Sequence, residues 1–295
     1  MRRVTQLSVA VFVGSCLIAS WSIRADDADA PADAEKEAAR ARKERYMNWM
    51  RNYAENTAIR LAPQGSEPEE TAKLVPNPVF RYSDEPRQYP DATLWVWTRD
   101  SRPVAMQKIE VNNNGGQLWM VCFASLSEGL LDVQWPGRRR AYSARTPGLT
   151  FRPIPKADSP AETARARTVQ LKALKERFAA RIGINEERPE AKRGFEARMM
   201  PTPLFEYADP ESKLSMGAIF GMSITGTNPD LLLLIEARRD EENKWRWEYA
   251  HVRMTADAVR LRLDDVEVWA EERARINNPS VFDNWTFYFF GRDFE

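Results

Sequence analysis

One histidine and two cysteines are all that this chain offers among the side chains most used as bases, nucleophiles and soft metal ligands. A Ser-His-Asp or Cys-His arrangement would have to use His251, and a zinc site would have one imidazole and mostly carboxylates to draw on. The 13 glycines form no phosphate-cradling loop, nucleophile elbow, calcium loop or dinucleotide fingerprint. An excess of one charge is missing too: 43 basic residues balance 43 acidic ones, so no global field draws in nucleic acid or an anionic membrane. The composition therefore names no catalytic residue, no metal ligand and no cofactor, and nucleic acid is not an expected partner.

Carboxylates are the one catalytic type present in quantity. Asp84 with Glu110, and Asp209 with Glu236, have the composition of a glycosidase acid and base. Their ordinary reading is structural: the aspartates follow strands into turns at Glu85-Pro86 and Pro210, where Asp caps backbone amides, and the glutamates end strands within reach of Arg102 or Arg238.

The N-terminus has the three-part form of an export signal. Arg2 and Arg3 precede an apolar stretch from Val4 to Trp21, and Ile23 and Ala25 stand where a signal peptidase reads before the acidic Asp26, Asp27 and Asp29. Residues 1–25 are expected to leave as a signal peptide, placing the rest in the periplasm or outside the cell. Membrane contact is expected only if the signal stays uncleaved or if Cys16, behind the poor lipobox Val13-Gly14-Ser15, carries lipid. Once Cys16 leaves, Cys122 is the sole thiol and no internal disulfide forms. Inside the apolar run 118–126, Cys122 reads as a small buried hydrophobe.

With 43% hydrophobic and 11% aromatic residues, the chain can bury sizeable cores, and it does so with a pattern written twice. Pro76, Pro78, Phe80, Tyr82 and Asp84 are answered 125 positions on by Pro201, Pro203, Phe205, Tyr207 and Asp209. After a one-residue slip, Glu110, Trp119, Phe123 and Ala124 meet Glu236, Trp245, Tyr249 and Ala250. Tyr46, Trp49, Tyr53 and Thr57 correspond to Leu171, Leu174, Phe178 and Ile182 at helical spacing. Helices are predicted over 34–59 and from the capping box Ser159-Pro160-Glu162 to a stop at Gly183. Five strands follow each helix, at 79–82, 92–98, 104–111, 117–125 and 130–135, then at 204–207, 218–225, 231–237, 244–252 and 258–263. Leu231 to Ile235, apolar without alternation, reads as covered on both faces. The fold class expected is α+β: two tandem repeats, 26–155 (its first residues, 26–43, partly disordered) and 156–295, each a helix packed on an antiparallel β-meander. The tail from Val266, with the aromatic run Trp285 to Phe290, has no clean counterpart and is expected to add a strand or close the interface.

Pro78, Phe80, Tyr82, Asp84, Asp91 to Trp95, Trp97, Arg102-Pro103, Ala105 and Glu110 resemble a family of exported planctomycete-type bacterial proteins with no known activity. The resemblance continues through Pro147, Gly148, Phe151, Pro153 and Pro155, and through Gly226 to Pro229, Leu234, Glu236 and Ala237. It implies an exported location and supplies no site residue.

Flat aromatic rings stack on sugar faces, so tryptophans outside the repeat's apolar stripes are the candidate contacts: Trp97, Trp135 and Trp247, with Trp269 also unconstrained. Arg138, Arg139 and Arg140 follow the turn Pro136-Gly137 and have no basic equivalent in the second copy, which marks them for an anionic partner. The expected function is a non-catalytic binding or structural protein of the periplasm or cell envelope that contacts a protein or a glycan. The alternative is a carboxylate-based hydrolase of envelope polysaccharide.

Overall fold

A computed structural model describes residues 30–61, 70–113, 118–137, 142–184, 193–209, 214–275, 280 and 282–291. From Lys43 onward the chain forms one compact unit, and residues up to Arg42 belong to another. In chain order the first half contains α1 (Ala30–Glu55), β1 (Ala58–Leu61), β2 (Glu70–Thr71), β3 (Lys73–Leu74), β4 (Phe80–Asp84), β5 (Tyr89–Arg99), β6 (Arg102–Asn112), β7 (Leu118–Ser125), β8 (Leu131–Gln134), β9 (Tyr142–Ala144) and β10 (Arg152–Pro153). The second half contains α2 (Ala164–Lys175), β11 (Phe178–Ile182), β12 (Phe195–Met199), β13 (Phe205–Asp209), β14 (Leu214–Ser223), β15 (Leu231–Arg239), β16 (Trp245–Arg253), β17 (Val259–Leu263), β18 (Val266–Glu271) and β19 (Trp285–Phe290).

The expected α+β class is corrected by these elements. The protein is mostly β, 50% strand and 17% helix, with a sheet curled into a half-barrel. The predicted helices overrun because a spacing of 4, as between Phe178 and Ile182, fits two strand periods as well as one helical turn. Phe178, Ala180 and Ile182 alternate inward along β11 and pair with β17, so Phe178 and Ile182 are strand residues rather than the end of a helical stripe. Helix α2 begins later than the capping box placed it. Thr163 caps it by accepting from the Ala166 amide at 3.3 Å, and the helix ends at Lys175, well before Gly183. Likewise α1 ends at Glu55, and Ile59 faces Val133 across the β1–β8 ladder.

A plain meander is corrected as well. In the second sheet the path runs β10-β16-β15-β14-β12-β11-β17-β18, with β13 also on β14. In the first half the corresponding path is broken at Ala72 into β19-β7-β6-β5-β3, with β4 on β5, and β2-β1-β8-β9. The strand after each helix thus pairs with one about 75 or more residues later, a long-range contact that local periodicity does not carry. All ten predicted strands are present; β1 to β3 and β9 to β12 come in addition, and the tail from Val266 supplies β18 and β19.

The two ladders agree in register. Phe80 faces Leu94, Tyr82 faces Ala92 and Asp84 faces Tyr89; Phe205 faces Ile219, Tyr207 faces Gly217 and Asp209 faces Leu214. Both ladders shift between the Tyr and the Asp. Glycine is needed at 217 because a Cβ there would lie 2.4 Å from the Tyr207 ring.

The end strands are exchanged between halves. β10, which follows the first copy, pairs with β16 of the second, while β19, at the far end, pairs with β7 of the first along six positions. The aromatic tail therefore does have a counterpart. Leu149 and Phe151 enter the shared core where Trp285 and Phe287 enter it, and Ile154 and Phe290 fill the two outer cores. Each half is completed by a strand from the other.

Three cores result. The sheets meet face to face through Leu94, Val96, Met106 and Cys122 against Ile219, Leu232, Leu234 and Val252. On the outer side of the first sheet, Met50, Tyr53 and Ala54 pack with Trp95, Ile109 and Phe123. On the outer side of the second, Leu171 and Leu174 pack with Phe220, Leu233 and Tyr249. Leu231 to Ile235 alternate between the last core and the shared one, which explains a run without polar positions. Each such side chain contributes about 1.5–3 kcal/mol on burial.

Candidate functional site

Of the residues proposed for contact from sequence, Trp97, Trp135 and Trp247 are 1%, 2% and 2% exposed. Their rings fill the outer cores and present no face to a sugar. Arg138, Arg139 and Arg140 lie outside the described residues. Among the described residues no group of three or more His, Cys, Asp and Glu is placed to hold a metal, and no helix is long and apolar enough to cross a membrane.

Three of the paired carboxylates, Asp84, Glu110 and Glu236, bond across the interface between sheets. Glu110, fully buried, accepts from Tyr82 Oη at 2.7 Å and from Asn228 Nδ2 at 3.0 Å. Glu236 accepts from Tyr207 Oη at 2.7 Å and from Arg102 at 3.0 Å. The arrangement is two-fold in kind: each Tyr–Glu pair is completed by a side chain from the opposite copy, Asn228 three residues before β15 or Arg102 at the start of β6. Burial pushes the Glu236 carboxyl up, partly offset by Arg102 and its Tyr207 bond, and burial pushes both tyrosines well up, with the adjacent glutamate adding to it.

Around these pairs the halves are cross-linked by charge. Arg87 donates to both oxygens of Asp230 at 2.7 and 3.0 Å, and Lys108 donates to Asn228 Oδ1 at 2.8 Å and to the Pro229 carbonyl at 3.0 Å. On the other side Arg102 and Arg238 share Glu128 at 2.8 and 3.1 Å and sit over the Phe151 ring. Asp84 does not cap its turn; its Oδ2 accepts from Thr225 at 2.9 Å. Asp84, Glu110, Asp230 and Glu236 each accept from at least one fixed side-chain donor in a packed interior, while Asp84 Oδ1 and Glu110 Oε2 are buried without a hydrogen-bond partner. A crevice of about 200 Å³ beside Lys108 and Cys122 belongs to this interface, and burial pushes the Cys122 thiol up to about 12.

A different place is open. In the second half β16 and β18 lie toward opposite ends of the sheet path, and curling brings them together along a seam. There His251 on β16 and Trp269 on β18 stand 4.5 Å apart, rings tilted by 48°, and Arg152 on β10 reaches across to the Val268 carbonyl at 3.3 Å. A groove of about 650 Å³ opens at this seam, with His251, Trp269 and Trp285 at its walls and Arg152, Glu271 and Asp283 at its edges. Arg253 braces it by donating to the carbonyls of Thr255, Asp257 and Glu272 at 2.9, 2.7 and 3.0 Å. Burial, with Arg152 adding to it, pulls the His251 imidazole down to about 4, and its Nδ1 is enclosed with no hydrogen-bond partner. At neutral pH the ring is uncharged.

The first half closes the same seam. Ladder positions match Val133–Tyr142 with Leu261–Trp269, and Lys108–Cys122 with Leu234–Ala250. Phe123 therefore corresponds to His251, Ser125 to Arg253, Tyr142 to Trp269 and Ala144 to Glu271. Phe123 and Tyr142, both fully buried, meet edge to face at 5.1 Å, and the Tyr142 hydroxyl donates to the Asp283 carbonyl. Tyr288, on a core-facing aromatic stack with Phe290, is the counterpart of Arg152. Sequence comparison paired Phe123 with Tyr249 because the hairpin before β16 is two residues longer relative to the strand register. Counting ladder positions instead sets the sole histidine opposite a phenylalanine, and that is the signal that marks the groove.

Comparison of the chain with protein-family models, curated proteins and solved structures finds no match.

Proposed function

We propose that the chain is a non-catalytic binding protein of the periplasm or cell envelope whose second repeat receives a glycan segment in the seam groove. The observation that carries this reading is the difference between copies. At four matched positions Phe, Ser, Tyr and Ala, packed and buried in the first copy, are His, Arg, Trp and Glu around a groove in the second. Packing alone would favour the closed version, because an open seam forfeits buried apolar area at about 25 cal/mol per Å². The volume lies in the range of about 300–1,000 Å³ typical of small-molecule sites, a concave shape unlike the flat patch of a protein interface. Trp269, half-buried, supplies a ring edge and face for stacking, and Thr146, Thr150 and Asn284 supply neutral polar groups for hydroxyls. The export-type N-terminus supports the compartment.

A glycan array followed by titration calorimetry tests this. Binding to envelope oligosaccharides is expected, reduced at least tenfold by Trp269→Ala and unchanged by Trp245→Ala, a substitution outside the groove. A blank array, or binding indifferent to Trp269→Ala, overturns the reading. Release of new reducing ends from a bound glycan replaces it with the hydrolase reading.

A further inference from the structure

We infer that the groove selects saccharides carrying a carboxylate, which the Arg152 guanidinium seats beside His251 and Trp269. This rests on the reading of the groove as a glycan site. The matched positions give the charge balance. Where the first copy has Phe123, Ser125, Tyr142, Ala144 and Tyr288, all uncharged, the second has two arginines and one glutamate. Arg253 and Glu271 are 3.9 Å apart, and Arg253 is further consumed by its three backbone carbonyls. Glu272 is taken by Arg260 at 2.6 Å and Arg273 stands 3.8 Å from Asp257. Arg152 is left with a single bond, from Nη1 to the Val268 carbonyl, and among the described residues it has no carboxylate within ion-pair distance.

A planar guanidinium with free N–H groups is suited to donate two parallel bonds to a carboxylate. The neighbours favour that occupant. His251 is held neutral partly by the positive charge of Arg152, so an anion placed there cancels an unfavourable potential rather than creating one. The tryptophan gives the sugar ring a stacking surface while the carboxylate fixes its direction.

Trigalacturonate and triglucuronate, each with its methyl ester as the uncharged control, serve as probes of the full-length protein. Affinity is read by tryptophan fluorescence and the state of His251, the only histidine, by ring proton resonances. At least one acid is expected to bind tenfold or more tighter than its ester, with the preference shrinking as salt rises. The acid is expected to raise the His251 titration midpoint, and the ester is expected to leave it in place. Arg152→Gln, checked for unchanged thermal unfolding, should abolish the preference while leaving the ester's affinity as it was, and Arg152→Lys should restore part of it. Equal binding of acid and ester overturns the selection for carboxylates but leaves the glycan groove standing. Failure of all four probes to bind or to perturb Trp269 and His251 overturns both.

Discussion

The two halves share a register and differ at a seam. In the first, Phe123 and Tyr142 join the two sheets of that half with a buried aromatic contact. In the second, His251 and Trp269 hold the same ladder positions and border a groove of about 650 Å³. A duplicated scaffold can keep one copy for stability and let the other give up packing for a surface. Elsewhere the halves stay alike: Tyr82–Glu110 and Tyr207–Glu236 have the same 2.7 Å bond, because each lies in the shared core where a lost partner leaves a buried carboxyl exposed to no solvent.

The largest expected effect separates the seams. Phe123→Ala should cost about 3–5 kcal/mol by cavity formation, whereas His251→Ala, at the open counterpart, should cost less than about 1 kcal/mol. Equal losses in urea denaturation would erase the distinction. Next, Tyr82→Phe and Tyr207→Phe each remove a hydrogen bond to a carboxylate and should each cost about 1.5–3 kcal/mol. A loss confined to one of them would mean that the interface is not two-fold in energy as it is in geometry.

The third effect depends on pH. His251 is pulled down to about 4 in the folded chain against about 6.5 when unfolded. The unfolded state therefore binds more protons between these values. Its contribution is fully present above pH 6.5 and is lost as pH falls toward 4, by an amount on the order of 1–2 kcal/mol at pH 5. Comparing wild type with His251→Phe, which installs the first copy's residue, isolates this slope: the variant should lack it. If the two curves run parallel from pH 7 to 5, the histidine is not buried as described. The smallest effect concerns the exit from α2, where Arg177 pairs with Asp264 at 2.5 Å; because the carboxylate is open to water, Asp264→Asn should leave the thermal midpoint nearly unchanged. The matching place after α1 holds Asn56, which instead donates to the Asn52 carbonyl at 2.8 Å.

Much of the repeated sheet was legible because its strands are long and alternate, as Val259, Leu261 and Leu263 do against Arg260 and Arg262. The duplicated Phe, Tyr and Asp positions fall on matched ladders. What failed was local ambiguity. Phe178 and Ile182 fit a helical stripe as well as a strand, and only pairing with β17, about 80 residues away, decides between them. Strand pieces of two or three residues such as β2, β3 and β9 are too short for any period. The candidate tryptophans were misplaced for a related reason: an aromatic outside the recognised stripe looks free until short strands add a second layer of core over it, as β1 and β8 do for Trp135 and its neighbours. His251 was visible as the sole histidine, yet its place at the seam depends on a hairpin length that shifts the alignment by two.

Hydroxyl-radical footprinting compares the seams most directly, since it reads side-chain access to water at both in one experiment. Trp269 should be modified readily while Phe123 and Tyr142 stay protected until the protein unfolds. Equal protection of Trp269 and Tyr142, or equal modification of both, would contradict the account of one closed seam and one open one.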